Sequence, residues 1–199
     1  MGSNYQIIIA QNLQALFADN LQERAVAMAA DWHGGMLTFQ AFGSVCRIEK
    51  EGIFLQDQLQ SGPLGIIISL YALHAIDEAF QLEPFRAFKE IPNTTPYVGA
   101  FASHTEQILV SHVDKIISHR QIILDRLDGT QAPSYMNGDD AIVVRPLPKI
   151  ALCYIFYVAD EDFPASVTCL YSSNAQAFMP VDGLADVGEY TSRTILDLL

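Results

Sequence analysis

Three consecutive acidic residues, Asp160, Glu161 and Asp162, follow a strongly apolar segment of the chain. Alternate side chains of an extended backbone point to the same side, so Asp160 and Asp162 can share one hard cation or act as an acid–base pair. Turns also favour aspartate. The alternative interpretation is a solvated turn, after which Phe163 and Pro164 re-enter the core.

Arg120 is the basic residue whose position is most informative. Residues 97–127 predict one long amphipathic helix or two stacked ones, and helical geometry places Arg120 near the middle of an apolar stripe that includes Leu109 and Ile116. A buried guanidinium group must pair with an acid or bind an anionic ligand. We expect an internal salt bridge to the acidic cluster at 139–140 or at 160–162, and an anionic ligand is the alternative.

Histidines supply the remaining candidates. His74 lies in the most apolar helix, so we expect a hydrogen-bonded core histidine, with a ligand or a catalytic base as the alternative. His104, His112 and His119 fall on one side of the long helix, but residues two turns apart lie roughly 10–12 Å apart. One metal ion therefore cannot bind all three from a straight helix, and we expect them to face solvent or a partner.

Composition and missing motifs exclude several functions. The 11 Lys and Arg against 23 Asp and Glu, with a formal net charge of -12, disfavour nucleic-acid binding. No segment has the ~20 apolar residues of a membrane-spanning helix. The chain lacks the motifs of serine hydrolases, dinucleotide-binding enzymes, P-loop proteins and zincins. Its cysteines, Cys46, Cys153 and Cys169, are too dispersed for a zinc ribbon or an iron–sulfur cluster, and we expect buried thiols at the last two.

The elements that position these residues come in blocks of helices and blocks of strands. This order predicts an α+β fold, with helices packed on a mostly antiparallel sheet and a small β-meander in the N-terminal half. The continuous apolar run Ile150–Val158 predicts a strand buried on both faces. We predict a single domain over 1–199 with helices 5–30, a meander 36–56, helices 63–127, strands 141–172 and a C-terminal helix 184–198.

Local signals set several boundaries. Asn20, followed three residues later by Glu23, predicts a capped helix start. Gly43-Ser44 predicts a hairpin turn. The apolar helix that begins near Pro63 extends to Leu82 by its pattern, and Asp182 is predicted to cap the last helix.

Several segments together resemble one uncharacterised prokaryotic family. They are Phe88-Lys89-Glu90-Ile91-Pro92, Tyr97, Phe101, Asp140-Ala141, Leu147-Pro148-Lys149-Ile150 and Asp160-Glu161-Asp162-Phe163-Pro164-Ala165. In this order, over most of the chain to about residue 183, the sequence resembles the family catalogued as domain of unknown function 3786. The resemblance implies no catalytic residue, because the family has no established reaction. Some members are fused to cysteine-rich modules resembling four-iron cluster domains, which this chain lacks.

The sequence favours a cytoplasmic accessory protein that binds a small ligand or a protein partner. The resemblance associates that role with anaerobic redox or corrinoid enzymes. The first alternative is a hydrolytic enzyme that uses Asp160, Asp162 and a histidine around a divalent cation, and the second is a structural homodimer. We expect no cofactor, nucleic acid or membrane. The ligand-binding candidates are Asp160, Asp162, Asp140, Arg120 and His74, and the resemblance adds weight to the three aspartates.

Overall fold

The computed structural model describes residues 4–199, which form two antiparallel sheets with helices packed against them. The helices are α1 (Asn4–Ala18), α2 (Leu21–Met28), α3 (Pro63–His74), α4 (Val98–Phe101), a π-helix (Ala102–Gln107), α5 (Ile108–Val110), α6 (Val113–Ser118), α7 (Arg120–Arg126) and α8 (Val181–Asp197). The strands are β1 (Asp31–His33), β2 (Met36–Ala41), β3 (Ser44–Glu49), β4 (Gly52–Leu55), β5 (Gln58–Leu59), β6 (Arg86–Ala87), β7 (Thr130–Gln131), β8 (Asp140–Leu147), β9 (Ile150–Tyr157) and β10 (Ser166–Tyr171). The predicted α+β class is confirmed.

The first sheet is the predicted meander, in which β1 to β5 lie in sequence order. Burial alternates along β2 and β3, so Leu37, Phe39 and Ile48 point into the core and their neighbours point away from it. Helices α1 and α3 pack on each other and against β4. None of the helices in the described part of the chain is long and apolar enough to cross a membrane.

The second sheet has the strand order β6-β10-β9-β8-β7 and contains the predicted strands of 141–172. Strand β9 is buried along nearly all of its length, as its continuous apolar sequence predicts. Leu152 and Tyr154 on one face join the main core. Cys153 on the opposite face is covered by Phe80 and Phe85 from the segment after α3. All three cysteines are buried and free.

Helix α3 is shorter than its apolar pattern predicts, because it ends at His74 rather than at Leu82. The Lys149 ammonium group, buried at the β8–β9 turn, donates to the carbonyl oxygens of Ile76 at 3.4 Å and Glu78 at 3.0 Å. These bonds use carbonyl groups that a longer helix would need for its own hydrogen bonds. The segment after His74 is therefore free to cross the second face of the sheet.

The starts of α2 and α8 differ in how well local sequence predicts them. The Asn20 side chain accepts two backbone N–H groups of the first turn of α2 and donates to Glu23 at 2.8 Å, so the predicted cap is confirmed. Helix α8 begins at Val181, before the predicted start at residue 184, and Pro180 occupies the N-cap position. Asp182 therefore lies in the first turn instead of capping the helix, where its charge complements the helix dipole.

A close backbone approach joins the β2–β3 turn to α7. Phe42 and Gly43, rather than Gly43-Ser44, form the centre of this turn, and both have positive φ. The Arg126 side chain donates to the Gly43 carbonyl oxygen at 2.6 Å and to Ser44 Oγ at 3.0 Å. A Cβ atom on Gly43 would lie 1.8 Å from the Arg126 carbonyl oxygen, so a larger residue cannot keep this approach.

We predict that Gly43→Ala destabilises the protein far more than Gly34→Ala. Both glycines have positive φ in hairpin turns, but a Cβ on Gly34 meets no atom within 4 Å. Gly34→Ala should cost about 1–2 kcal/mol of unfolding free energy from backbone strain alone. Gly43→Ala should cost at least about 3 kcal/mol, because the turn and α7 must separate. Urea denaturation measures both, and equal losses would contradict the close approach.

Candidate functional site

Asp160 and Asp162 lie in the turn between β9 and β10, and both are exposed. Oδ1 of Asp160 accepts the backbone N–H groups of Asp162 at 2.9 Å and Phe163 at 2.7 Å. This is how aspartate stabilises a turn. Phe163 is 72% exposed and Pro164 is also exposed, so the prediction that they re-enter the core is wrong. The reason is that β9 ends at Tyr157 and the turn projects beyond the sheet.

The carboxylates of this turn have no further metal ligands gathered around them. Across residues 4–199, no group of three or more His, Cys, Asp or Glu side chains is arranged to hold a metal ion. A metal role for Asp160 and Asp162 therefore stays a prediction without structural support.

Arg120 pairs with Asp140 across a gap between helix α7 and strand β8. Arg120 Nη1 lies 3.2 Å from Asp140 Oδ1, and this is the internal salt bridge that the sequence predicts. The Arg120 side chain is 39% exposed, so its predicted burial in the apolar stripe is wrong. The residue lies directly after the turn at His119, which breaks the regular helix on which that prediction depended. With Asp140 as its partner, Arg120 does not require an anionic ligand.

His74 lies far from these groups and is exposed, so its predicted place in the core is wrong. It is the last residue of α3, beyond the buried turns of that helix. The chain that follows it contacts Lys149 at the β8–β9 turn. Asp140, in contrast, pairs with Phe156 at the opposite end of these strands. The five predicted ligand-binding residues therefore do not form one site, and a ligand role for each stays a prediction.

A different region, around the π-helix, gathers polar side chains inside the fold. Oε1 of Glu106 accepts the backbone N–H of Cys169 on β10 at 2.9 Å. On the other side, Ser192 Oγ on α8 donates to the Thr105 carbonyl oxygen at 2.8 Å and bonds to the Tyr154 hydroxyl at 2.9 Å. The π-helix is thus held between the second sheet and α8. Wide turns of this kind occur frequently at functional sites.

Gly188 allows α8 to approach the π-helix. A Cβ atom there would lie 2.6 Å from Phe101 Cε2, 2.9 Å from the Tyr171 hydroxyl and 3.0 Å from Thr105 Oγ1. Glycine inside a helix costs roughly 0.5–1 kcal/mol relative to alanine. The close packing of the two helices requires it here.

A cleft of 240 Å³, which we call the β10 cleft, lies between the π-helix and β10. Phe88 and Phe101 stack in its wall with ring centroids 4.3 Å apart, and Lys89 and Glu106 are its charged residues. Burial raises the pKa of Glu106, while the Cys169 N–H and the Lys89 charge partly oppose the increase. Burial also raises the pKa of the Cys169 thiol well above its usual value, so this cysteine is not an activated nucleophile.

A second cleft, of 160 Å³, lies between the π-helix and α8, and we call it the α8 cleft. The buried residues Phe101 and Thr105 form its floor. Its remaining lining residues are Tyr97, Ala100, His104, Asp182, Ala185, Asp186 and Glu189. A buried floor bordered by acidic side chains of α8 gives this cleft a defined polarity.

Thr105, at the base of the α8 cleft, has an unsatisfied hydroxyl group that is buried against Gly188. The residue has no exposed surface, and its Oγ1 atom has no hydrogen-bond partner among residues 4–199. A buried polar atom without a partner costs about 1–3 kcal/mol. Native proteins seldom tolerate such an atom without a bound water, an ion or a functional reason.

Three acidic residues of α8 line the same cleft at spacings of four and three residues. Glu189 is paired, since its Oε2 lies 3.1 Å from His104 Nδ1 and its Oε1 lies 2.8 Å from Arg193 Nη2. Asp182 and Asp186 have no ion-pair partner within the described part of the chain. Partial burial raises the pKa of Asp186, and the charges of Glu189 and Asp182 raise it further. The cleft therefore concentrates negative charge along its α8 side.

Two larger clefts, of 560 and 590 Å³, lie beside α1 and at the start of α3. Among residues 4–199 the buried side-chain atoms without a hydrogen-bond partner are Thr105 Oγ1 and Arg24 Nε, and neither residue lines these larger clefts. They therefore lack the unsatisfied polar atom that distinguishes the α8 cleft.

Sequence reasoning named Tyr97, Phe101, His104 and Asp182 but did not bring them together as a site, and it missed Thr105, Asp186 and Glu189. The spacing of Asp182, Asp186 and Glu189 places them on one helix face, and this acidic face could have been predicted from the sequence. The role of Thr105 had no such signal, because it depends on a π-helix that local sequence does not specify. The predicted helix 97–127 is interrupted, with turns at residues 111–112 and 119.

We predict that Glu106→Gln removes a pH-dependent penalty on stability. A carboxyl whose pKa rises on folding binds its proton more tightly in the folded state, so its ionised form destabilises the fold as pH increases through the folded pKa. The glutamine variant should melt up to about 2 °C higher at pH 7 and no higher than the parent at pH 4. Glu161→Gln, in the exposed turn, controls for the loss of one charge, and an equal shift in that variant would contradict the prediction.

The residues that form both clefts lie within a segment that matches one known protein family. Residues 20–194 match the family model described as "Domain of unknown function (DUF3786)", and this span includes the π-helix and both clefts. The chain has no match among curated proteins and none among solved structures. The span of the match shows that this chain belongs to the DUF3786 family.

Proposed function

We propose that this protein is a small-ligand-binding accessory protein whose ligand occupies the α8 cleft. The observation that carries the proposal is the pair of carboxylates Asp182 and Asp186, which line the cleft and have no ion-pair partner among residues 4–199. Carboxylates that the fold leaves unpaired are available to hydrogen-bond or pair with a bound molecule.

The dimensions of the cleft fit a small molecule. Its 160 Å³ equals the share of about five water molecules, at roughly 30 Å³ each. The π-helix is fixed from both sides by Ser192 and Glu106, so the floor is formed before a ligand binds. A site that is largely formed in advance loses little binding energy to ordering.

The segments that carry the family resemblance also surround the π-helix. Phe88 and Lys89 line the β10 cleft, Tyr97 lines the α8 cleft, and Phe101 lines both. This agreement supports the choice of region. The expected cytoplasmic location is part of the proposal. A structural homodimer is the alternative, and light scattering at micromolar concentration tests it.

We predict that Thr105→Val stabilises the protein. Removing the unsatisfied hydroxyl should increase the unfolding free energy by about 1 kcal/mol and the melting temperature by about 2–4 °C. Thr191→Val is the matched control, because Thr191 is equally buried on α8 but its hydroxyl donates to the Val187 carbonyl oxygen at 2.6 Å. That variant should lose about 0.5–1.5 kcal/mol.

Binding is measured by NMR with a panel of cationic, neutral and anionic molecules of four to six non-hydrogen atoms. At least one should shift the backbone amide signals of residues 104–105 in the parent, and Asp186→Asn should weaken its binding at least about tenfold. If no probe shifts these signals, or if Asp186→Asn binds every probe as tightly as the parent does, the proposal is wrong.

A further inference from the structure

We infer that residues 75–85 form a strap that opens while the rest of the fold stays intact, and that the strap controls access to the thiol of Cys153. The strap connects α3 to β6 and crosses one face of the second sheet. Cys153 lies on that face, on β9. The inference does not depend on the α8 cleft, which lies against other elements.

The strap has little regular structure and little buried surface of its own. Residues 75–85 all lie in the described part of the chain, and they belong to neither a helix nor a strand. Within this range Ala75 is buried, while Phe80, Leu82 and Phe85 are half-buried and the other residues are half-buried or exposed. Segments with few buried apolar contacts open at a lower free energy than the core of a protein.

The apolar face under the strap is separate from the main core. Phe80, Leu82 and Phe85 of the strap pack against a small cluster of buried residues, which are Ala132, Ala141, Val143, Ala151, Cys153 and Ile155. Cys46 and Cys169 belong to the main core instead. Opening of the strap therefore uncovers Cys153 and leaves the other two thiols buried.

The Asn174 side chain holds the centre of the strap. Its Nδ2 atom donates to Glu78 Oε1 at 2.7 Å and to the Ala79 carbonyl oxygen at 2.9 Å. Its Oδ1 atom accepts the backbone N–H of Gln81 at 3.0 Å. The backbone N–H of Ser173 also donates to the Gln81 carbonyl oxygen, at 2.9 Å.

The Lys149 ammonium group holds the start of the strap through the carbonyl oxygens of Ile76 and Glu78. Its Nζ atom also lies 5.3 Å from the ring centroid of Phe178, which belongs to the main core. Hydrogen bonds with a charged donor are among the stronger ones in proteins. Lys149 and Asn174 therefore hold the strap by polar contacts that water can replace, whereas the main core is held by apolar packing.

The closed strap keeps the Cys153 thiol unreactive. Burial raises the pKa of this thiol to about 12, and the charge of Glu83, a residue of the strap, adds to the increase. The thiolate is the nucleophilic form of cysteine. Opening removes the burial and moves Glu83 away, so Cys153 reacts from the open state.

The test is labelling of the full chain with N-ethylmaleimide at pH 7, followed by peptide mass spectrometry that measures each thiol separately. Cys153 should react at least about 100-fold faster than Cys46 and Cys169, because global unfolding alone exposes those two. Equal rates at the three cysteines, or no reaction at any of them, would overturn the inference.

Two variants test how the strap is held. Lys149→Met keeps an unbranched side chain of similar length, and Asn174→Ala removes the side-chain bonds to Glu78, Ala79 and Gln81. Each should increase the labelling rate of Cys153 at least about tenfold and change the rates of Cys46 and Cys169 less than about twofold.

Lys115→Met is the matched control, because it removes the same charge from an exposed position on α6. It should change the rate of Cys153 less than about twofold. If both strap variants label Cys153 at the parent rate, Lys149 and Asn174 do not hold the strap. A parallel increase at all three thiols in both variants would show a loss of global stability and would also contradict the inference.

Discussion

The hydrogen bonds that fix the π-helix between the second sheet and α8 are the constraint on which both clefts depend. Ser192, itself bonded to the Tyr154 hydroxyl, donates to the Thr105 carbonyl oxygen of the π-helix, and Glu106 accepts the backbone N–H of Cys169 on β10. Buried hydrogen bonds of this kind are costly to leave incomplete, so they select one position for the segment. The same position leaves the Thr105 hydroxyl without a partner among residues 4–199.

The class of fold was predictable because it depends on apolar patterning. The alternation along β2 and β3 and the continuous apolar run of β9 each predict the observed strand and its burial. Helix ends were harder, since α3 ends where Lys149 takes the carbonyl groups beyond it. That contact joins residues more than 70 positions apart, and local patterns do not contain it.

The candidate site was less predictable than the fold. A run of acidic residues predicts a possible binding site when only the sequence is known. In the structure, the Asp160 carboxylate instead accepts hydrogen bonds from the N–H groups of its own turn. The predicted partnership of Arg120 with the 139–140 cluster is present, yet it forms an internal salt bridge. The residues of the α8 cleft become neighbours only when α8 packs on the π-helix, and Gly188 makes that approach possible. Two of the acidic residues that contribute to the net charge of -12, Asp182 and Asp186, therefore lie unpaired at the rim of one cleft.

The central claim is that the α8 cleft binds a small ligand through the unpaired carboxylates of Asp182 and Asp186. A crystal structure of the full chain, grown with the small molecule that binds most tightly in the NMR panel, tests this most directly because it locates the bound molecule. We predict ligand atoms within about 3 Å of a carboxylate oxygen of Asp182 or Asp186. A ligand bound elsewhere, with the α8 cleft unoccupied, would contradict the account.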